Sequence, residues 1–324
     1  MIRTAIIGYG KMGKIRENAI LSNGGSVVSV IDPALRDDCY KEVFQHVDAV
    51  FICTPNYLNK KYTIEALENG KHVFCEKPPA FNSKEILEIQ EAERNSGCKL
   101  MYGFNHRHHE SVKHIKKIVS SKKYGDVLWM RGRYGKSSDE SFFEDWRSKK
   151  ELSGGGILID QGIHMLDLFL HIANDFDEIH SIISNNYWKL DGIEDNAFVI
   201  MRNNETGVAA SLHSTMTQWR HLFALEIFLE RGYLVLNGLK TPSGSYGNEV
   251  LTMAKNRTES PVATWDSEEH IEYYTDKSWE EEVGHFFDSI QNNTPITTGT
   301  SDDALKLMNM MDRIYDENLV EQKI

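Results

Sequence analysis

The sequence predicts an α/β protein with two domains. Residues 1–122 are expected to form a doubly wound parallel sheet, and residues 123–324 an α+β domain with an open, mainly antiparallel sheet. In the first third of the chain, short runs rich in Val, Ile and Phe alternate with stretches of helical periodicity, the pattern of βαβ units. From about Gly125 onward, strand-like segments follow one another with few helices between them, which indicates antiparallel pairing.

The first domain contains five expected strands and four expected helices. Asn82 followed by Glu85 is typical of a helix start, and Gly70 and Gly97 are typical of helix ends. The second crossover leaves room for about one short helix. The strands are Arg3–Ile7, Val27–Ile31, Ala49–Cys53, Val73–Cys75 and Lys99–Tyr102; the helices are Lys11–Leu21, Leu58–Glu68, Ser83–Asn95 and Ser111–Val119.

The second domain is dominated by expected strands. In the segment Phe223–Glu230, apolar and more polar residues alternate, and Arg231-Gly232 is expected to turn the chain into the next strand. Residues 241–262 are expected to form a surface loop. The strands are Asp126–Tyr134, Ser181–Tyr187, Asn196–Arg202, Gly207–Met216, Phe223–Glu230 and Tyr233–Asn237; the helices are Gly154–Asn174, Trp279–Ile290 and Asp302–Tyr315.

Composition narrows the function classes. A net charge of −12 argues against a nucleic-acid groove, which needs a basic surface. We expect no membrane helix, because no apolar run approaches the ~18 residues that one needs. The start of the chain does not resemble a signal peptide. The four cysteines form no Cys-x-x-Cys pair, which favours reduced thiols and a cytoplasmic location; they are Cys39, Cys53, Cys75 and Cys98.

A glycine fingerprint follows the first strand. Gly8 permits a tight turn, Gly10 lets the backbone approach a pyrophosphate, and Gly13 lets helix and strand pack closely. Amide groups at the helix N-terminus then face the phosphates. The segment predicts a dinucleotide site of the Rossmann type, with Tyr9, Lys11 and Met12 as the intervening cofactor-binding residues.

Asp32 ends the second strand and is placed to accept hydrogen bonds from the adenosine ribose. It favours NAD over NADP, because two like charges about 4 Å apart repel by roughly 4 kcal/mol at an effective dielectric of about 20. Arg36 lies close enough in sequence to soften this repulsion.

Two more segments follow strands at the edge where ligands bind in such sheets. In Thr54-Pro55-Asn56, Pro55 ends the strand, and Asn56 is equally compatible with helix capping and with cofactor contact. In Glu76-Lys77-Pro78, the lysine is suited to orient a substrate hydroxyl, with Glu76 placed to position it or to contact the cofactor.

The segment that begins with three glycines, Gly154–Gly156, leads into a helix. Asp160 and His164 lie four residues apart and therefore on one helical face. Hydride loss from an alcohol carbon requires removal of the hydroxyl proton, which histidine can accept at neutral pH. Asp160 is suited to bind a second hydroxyl or to orient the imidazole. A metal site is not expected, because no third ligand stands at a suitable position.

Taken together, these motifs resemble the glucose–fructose oxidoreductase/inositol dehydrogenase (Gfo/Idh/MocA) family. The resemblance rests on Gly8–Gly13, Thr54-Pro55-Asn56, Glu76-Lys77-Pro78, Gly103-Phe104-Asn105 and Gly154–Asp167, and it covers essentially the whole chain. It implies that Lys77, Asp160 and His164 are the family's catalytic residues. Asn105, Trp146 and Arg147 are then further substrate-binding residues. One departure is Asn59, where many relatives have a histidine.

The resemblance implies NAD(P)-dependent hydride transfer at a hydroxylated carbon of a sugar, a sugar derivative (nucleotide-linked sugars included) or a cyclitol. Whether Lys77 or His164 accepts the proton stays open. Two alternatives are a non-catalytic dinucleotide-binding regulator or sensor and an NAD-dependent glycoside-cleaving enzyme. The alternating strand that carries Phe228 also predicts self-association through the second sheet, as a homodimer or homotetramer.

Overall fold

A computed structural model describes residues 1–32, 40–255 and 264–321 of the chain. It divides into two compact units. We call them the first unit (Met1–His108, Glu151–Gly154 and Lys277–Asn309) and the second unit (His109–Lys150, Gly155–Asp276 and Met310–Ile324). Neither unit is continuous in sequence, in contrast to the expected division into 1–122 and 123–324.

The first unit contains a parallel five-stranded sheet. Its strands are β1 (Arg3–Ile7), β2 (Ser26–Ile31), β3 (Ala49–Ile52), β4 (His72–Cys75) and β5 (Leu100–Tyr102). They lie in the order β2-β1-β3-β4-β5, and every pair is parallel. All five expected strands of this region are therefore confirmed, and each sequence run is close to the observed bounds.

The helices alternate with these strands as the sequence predicts. The Asn82 side chain caps its helix by accepting a bond from the Glu85 amide, and Gly97 ends it in the left-handed region at φ 64°. The α-helices of both units, within the described residues, are α1 (Lys11–Ser22), α2 (Tyr40–Phe44), α3 (Asn56–Glu68), α4 (Ser83–Ser96), α5 (Glu110–Ser120), α6 (Lys150–Ser153), α7 (Ile163–Ala173), α8 (Ser278–Gln291) and α9 (Ser301–Glu321). The short second crossover is α2, preceded by residues outside the described part of the chain.

Aromatic packing joins α8 to the parallel sheet. Phe51 and Phe74, on adjacent strands, stack with ring centroids 5.1 Å apart, and Phe286 of α8 meets both rings edge-on at 5.7 Å. Phe287 lies against Phe51 as well. This shared core explains why a segment almost at the end of the chain belongs to the first unit. Sequence periodicity predicts α8 but not its partner.

The second unit contains an eight-stranded sheet. Its strands are β6 (Val127–Ser137), β7 (Glu178–Ser184), β8 (Asn196–Arg202), β9 (Ala209–Thr215), β10 (Thr217–Leu229), β11 (Gly232–Asn237), β12 (Glu249–Lys255) and β13 (Glu269–Tyr273). They lie in the order β13-β12-β11-β10-β6-β9-β8-β7. All neighbours are antiparallel except β6 and β9, which pair in parallel. The expected open, mainly antiparallel sheet is confirmed.

Four expectations for this sheet need correction. The strand expected at Phe223–Glu230 begins six residues earlier, because β10 runs alongside β6 from Thr217 to Leu229. The strand expected at Ser181–Tyr187 begins and ends three residues earlier, because β7 pairs with β8 from Glu178 to Ser184. The hairpin turn is Glu230-Arg231 rather than Arg231-Gly232, since Leu229 pairs directly with Gly232. The expected loop at 241–262 contains the strand β12, which pairs with β11 on one side and with β13 on the other. Residues 256–262 of the expected loop lie outside the described residues.

The segment expected as one helix over Gly154–Asn174 has two parts. After the glycines it forms a π-helical turn, Leu158–Gly162, which then becomes α7. The longer stretch Lys150–Ala173 meets the length and hydropathy of a membrane span, contrary to the expectation that no segment does. Because 78% of its most apolar window is buried inside the protein, these side chains already have protein partners.

Cys53, Cys75 and Cys98 are free thiols. Burial raises the pKa of both the Cys53 and the Cys75 thiol, so these side chains behave as small apolar core groups. Cys39 lies outside the described residues. Within residues 1–32, 40–255 and 264–321, no cluster of three or more His, Cys, Asp or Glu side chains is placed to hold a metal ion.

Candidate active site

The glycine turn of the first unit is built from close backbone approaches. Gly8 has φ 91°, and a Cβ on it would lie 2.5 Å from the carbonyl oxygen of Cys53. A Cβ on Gly13 would lie 2.3 Å from the carbonyl oxygen of Gly8. Any side chain at either position would displace the backbone, so the turn requires glycine at both.

Gly10 differs from its two neighbours in the fingerprint. A Cβ added there would meet no atom of the described residues within 4 Å. Gly10 is also the N-cap of α1 and makes no side-chain cap bond to the first amides of the helix. A glycine that nothing in the described chain requires, at a helix N-terminus, fits a backbone left bare for a phosphate group. This arrangement fits a bound dinucleotide.

The remaining fingerprint residues flank this turn. The Tyr9 hydroxyl donates a short hydrogen bond to the Glu17 carboxylate, so its ring is held along the first turns of α1. Lys11 and Met12 open the helix. Asp32 directly follows β2, and the carbonyl of Ile31 accepts a 2.7 Å bond from the Gly8 amide. The structure therefore brings Asp32 to the same sheet edge as the glycine turn. Arg36 lies outside the described residues.

Asn56 does not cap its own helix. The N-cap of α3 is Pro55, without a side-chain cap bond. The side-chain amide of Asn56 donates instead to the carbonyl of Ser153 at 2.8 Å. Of the two interpretations left open for Asn56, helix capping is wrong. Cofactor contact by Thr54, Pro55 and Asn56 stays a prediction.

Asn59 connects the loops that follow β3 and β4. It is fully buried, accepts a 2.9 Å bond from the Thr54 hydroxyl, and donates a 2.9 Å bond to the carbonyl of Pro78. The residue at which this chain departs from many relatives thus holds the loop that carries Lys77. Its distance of nineteen residues from Pro78 explains why no local pattern revealed this role.

Glu76 is committed to a buried ion pair. Its carboxylate accepts a 2.6 Å bond from the Arg16 guanidinium, which also meets Glu282 at 2.7 Å. The Glu76 amide donates to the carbonyl of Ile52, so the residue continues the sheet ladder. The structure favours a structural role for this side chain. Contact with the cofactor, predicted from its position, gains no support from these bonds.

Lys77 follows directly, at the edge where the Rossmann strands end. It is half-buried, and the Lys77-Pro78 peptide bond is cis. Asn105 follows β5 at the same edge and is buried, donating to the Ser278 hydroxyl at 3.3 Å. Its side-chain oxygen lies 3.1 Å from the His106 ring nitrogen. Both the nitrogen and the oxygen of the Asn105 side-chain amide therefore have partners within the first unit.

In the second unit, Asp160 lies inside the π-helical turn and His164 on the following α-helix. Because the two residues stand on either side of this change in helical geometry, the simple four-residue α-helical spacing does not relate them. Such π turns are frequent at functional sites. Both side chains belong to the same continuous segment of the second unit.

Asp160 is surrounded by donors. Arg147 Nε and Lys136 Nζ approach its carboxylate at 3.4 and 3.6 Å, and the Gln161 amide donates to it at 3.2 Å. The Arg147 guanidinium also stacks over the Trp146 ring at 4.3 Å. Trp146 and Arg147, predicted only from the family resemblance, therefore belong to the immediate surroundings of Asp160. Lys136 was not singled out from the sequence.

His164 is 7% exposed and lies among aromatic rings. Its ring centroid is 6.1 Å from that of Tyr134, and Tyr134 packs edge-on against Tyr246 at 5.3 Å. The Tyr246 hydroxyl donates to the Gln161 side chain at 3.3 Å. Burial raises the pKa of Tyr134 well above its usual value, so its hydroxyl stays protonated at neutral pH.

Comparison with known proteins gives the family context. A family model described as an oxidoreductase family with an NAD-binding Rossmann fold matches residues 2–104. A second model, of the GFO/IDH/MocA C-terminal domain, matches residues 112–235. Together they cover well over half of the chain, so its first part is an NAD-binding Rossmann domain.

Individual relatives are sugar-modifying enzymes by name. The chain is 33% identical to a D-glucoside 3-dehydrogenase of Escherichia coli (strain K12) over 145 residues, which are 44% of this chain and 40% of that protein. It is 25% identical to a 2,7-anhydro-N-acetylneuraminate hydratase of the same organism over 257 residues, 74% and 66% of the two chains. The match to the first relative thus spans well under two thirds of its length.

A solved structure extends the likeness of fold to nearly every residue. The structure titled levoglucosan dehydrogenase, complex with NADH and levoglucosan, superposes with a TM-score of 0.86 at 21% identity, covering 99% of this chain and 98% of that one. At this identity the likeness concerns the fold alone. With the two family models and the motifs described above, the chain belongs to the Gfo/Idh/MocA family of NAD-binding oxidoreductases.

Proposed function

We propose that this chain is an NAD-dependent dehydrogenase or reductase that acts on a CH–OH group of a sugar, a sugar derivative or a cyclitol. The NAD-binding Rossmann domain of the family supports the cofactor, and the relative named D-glucoside 3-dehydrogenase supports a sugar substrate. When bound, the nicotinamide cofactor supplies a hydride acceptor or donor. The protein supplies binding, orientation and proton transfer.

The dinucleotide is expected to lie on the glycine turn. Its pyrophosphate fits the bare backbone at Gly10 and the N-terminal amides of α1. Asp32, beside Gly8, is proposed to accept hydrogen bonds from the adenosine ribose and to disfavour a 2′-phosphate. We therefore propose NAD rather than NADP as the cofactor.

Three side chains are proposed to act on the substrate. His164 accepts the hydroxyl proton as the carbon-bound hydride leaves, so that the alcohol becomes a carbonyl. Lys77, as an ammonium, orients a substrate hydroxyl and favours the alkoxide that develops on it. As a neutral amine it is instead the second candidate for the proton acceptor. Asp160, held by Arg147 and Lys136, binds a neighbouring hydroxyl.

One observation carries the proposal: Lys77, Asp160 and His164 occur together with an intact glycine fingerprint in a chain of this family. A regulator that only senses the dinucleotide has no need of all three.

The direct test incubates the purified protein with NAD⁺ and a panel of neutral and charged sugars that includes methyl β-D-glucoside, levoglucosan and glucose 6-phosphate. NADH formation at 340 nm with one of them, and its loss in His164→Ala, is the expected result. Tight NADH binding without turnover of any panel member, in either direction, would favour the sensor.

A second candidate function is an NAD-dependent reaction without net oxidation, such as glycoside cleavage. It is favoured by the relative named as a hydratase, which matches a larger share of this chain than the dehydrogenase does. The two functions differ in their products. A net dehydrogenase consumes one NAD⁺ per sugar, whereas the second candidate converts substrate with a constant NAD⁺ concentration, which mass spectrometry of the products would show.

Self-association and location complete the proposal. The outer face of the eight-stranded sheet carries exposed apolar side chains, among them Ile182 at 66%, Ile200 at 63% and Phe198 at 48%. Trp129 and Phe228 stack on the same face at 4.0 Å. An apolar surface of this kind supports a homodimer or homotetramer.

The free thiols support a cytoplasmic location, and we propose no nucleic-acid or membrane partner.

A further inference from the structure

A buried carboxylate outside the predicted site holds the segment that carries Asp160 and His164. Glu194 lies just before β8 and is 6% exposed. One carboxylate oxygen accepts a 2.7 Å bond from the Gly156 amide, and the other accepts a 2.9 Å bond from the Leu158 amide. These are amides at the start of the helical segment, which have no partner within the helix itself.

The main chain of Glu194 contacts the same segment. Its carbonyl accepts a 3.0 Å bond from the Ile157 amide. A Cβ on Gly156 would lie only 2.1 Å from that carbonyl oxygen. The last of the three glycines is therefore explained by this contact, because any side chain would push Glu194 away from the amides that it binds.

A tyrosine from the far end of the chain completes the arrangement. The Tyr315 hydroxyl donates a 3.0 Å bond to the Glu194 carboxylate. A Cβ on Gly155 would lie 2.5 Å from that hydroxyl oxygen. On the other side, the Ser214 hydroxyl donates to the carbonyl of Ile157 at 3.3 Å. The start of the segment is thus fixed by residues from three separate parts of the second unit.

The position of Asp160 depends on this start. Leu158 is two residues before Asp160 and begins the π-helical turn. A carboxylate that binds the amides of Gly156 and Leu158 restrains the rotation of the turn that begins at Leu158, and with it the direction of the Asp160 side chain and the register of α7. Displacements of about 1 Å in an active site are enough to lower the rate by about 100-fold.

We infer that Glu194, assisted by Tyr315, is a positioning residue that sets the geometry of Asp160 and His164. The inference rests on the proposed function for its effect on catalysis. Its structural part, that Glu194 fixes residues 156–164, does not depend on which sugar is used.

The main variant is Glu194→Gln, which keeps the size of the side chain but replaces one accepting oxygen by a donor. Its matched control is Glu249→Gln. Glu249 is also a buried glutamate of the second unit, at 1% exposure, and it binds the His109 ring and the Lys240 amide rather than the glycine segment. Both variants lose a buried carboxylate, and only one loses contact with residues 156–164.

With NAD⁺ and methyl β-D-glucoside or levoglucosan, we expect Glu194→Gln to lower kcat by about 10- to 100-fold, with an unchanged Kd for NADH. Glu249→Gln should keep kcat within about twofold, even where its Tm falls equally. Tyr315→Phe removes one donor and should have a smaller effect, which adds little to that of Glu194→Gln. Equal losses of kcat in the glutamine variants of Glu194 and Glu249 would overturn the inference.

Hydrogen–deuterium exchange separates this inference from the proposed function. Amides in residues 156–164 should exchange faster in Glu194→Gln than in the wild type, and at wild-type rates in Glu249→Gln. If the wild type oxidises no sugar, the proposed function fails, whatever the exchange rates are. If residues 156–164 exchange at the wild-type rate in Glu194→Gln, the positioning role of Glu194 is refuted, whatever the enzyme does. Should Glu194→Gln not fold, Tyr315→Phe provides the same comparison.

Discussion

The Arg16 guanidinium donates a 2.6 Å hydrogen bond to the Glu76 carboxylate in the core of the first unit. The same guanidinium meets Glu282 and lies over the rings of Phe74 and Trp279, with its carbon 4.2 and 4.9 Å from their centroids. Burial by itself would lower the pKa of Arg16, and the two carboxylates more than offset it, so the group stays charged. This pair links the helix of the glycine turn to the residue beside Lys77.

Removing Arg16 should destabilise the protein strongly. Arg16→Met leaves the Glu76 and Glu282 carboxylates buried without their cation, and we expect the free energy of unfolding to fall by about 3–5 kcal/mol. Urea unfolding followed by tryptophan fluorescence measures it. Arg94→Met, on the exposed surface of α4, should change it by less than about 0.5 kcal/mol. Equal effects of the two variants would show that the buried pair is dispensable.

Cofactor choice should depend on Asp32. The wild type is expected to bind NADH more tightly than NADPH, because the carboxylate repels a ribose phosphate. In Asp32→Ala the difference should narrow, since that repulsion is removed while the glycine turn is unchanged. Fluorescence titration with both cofactors measures the two Kd values. Tighter binding of NADPH by the wild type would contradict the proposed NAD preference.

Loss of the proposed proton-transfer groups should slow chemistry without weakening cofactor binding. Lys77→Ala and His164→Ala are each expected to lower turnover by about 10²–10⁴-fold, with little change in the Kd for NADH. Asp160→Ala should mainly raise the KM for the sugar. Single-turnover NADH formation distinguishes these effects. Wild-type hydride transfer in both Lys77→Ala and His164→Ala would show that the site assignment is wrong.

Charge on the outer face of the eight-stranded sheet should break self-association. The wild type is expected to be a dimer or tetramer at micromolar concentration by light scattering, and the double variant Ile182→Glu/Ile200→Glu to be smaller. Neither side chain is buried within the chain, so folding should be retained. Leu87→Glu, at a side chain 51% exposed on α4, is the control. A monomeric wild type would contradict the proposal.

Acid should destabilise the second unit partly through Glu249. Burial by itself would raise the pKa of this carboxyl. The nearby His109 ring and the hydrogen bond from the Lys240 amide outweigh burial, so the pKa lies below its usual value. A lowered pKa in the folded state means that the carboxylate contributes stability above its unfolded-state pKa of about 4.3 and loses it as the pH falls. Between pH 6 and 3, wild-type stability should therefore fall more steeply than that of Glu249→Gln. Parallel curves would contradict this assignment.

Much of the fold is readable from local patterns. The first five strands and the helices between them follow from apolar periodicity, and the Asn82 cap and the Gly97 end follow from residues within one turn of the helix. The glycine fingerprint is equally local as a pattern, because its three glycines stand at a fixed spacing between β1 and α1. These features depend on neighbours in sequence, so the amino-acid order alone determines them.

The site residues that the sequence missed depend on distant partners. Glu194 binds Gly156 across 38 residues, and Arg16 binds Glu76 across 60. Neither carboxylate has a neighbouring motif that indicates its partner. For the same reason the parallel pairing of β6 with β9 and the strand β12 were not predicted, since a strand without strong alternation is defined by the partners beside it.

By itself, the sequence determined the two kinds of sheet and the dinucleotide fingerprint, because local periodicity and spacing encode them. The resemblance of its motifs to a known family indicated the candidate catalytic residues. The tertiary structure alone decided which buried charges hold those residues in place. It paired the Glu76 carboxylate with Arg16, and it bonded the Glu194 carboxylate to the amides of Gly156 and Leu158, before Asp160. A buried charge is stable only where folding brings its partner to it, and that partner can stand anywhere in the chain.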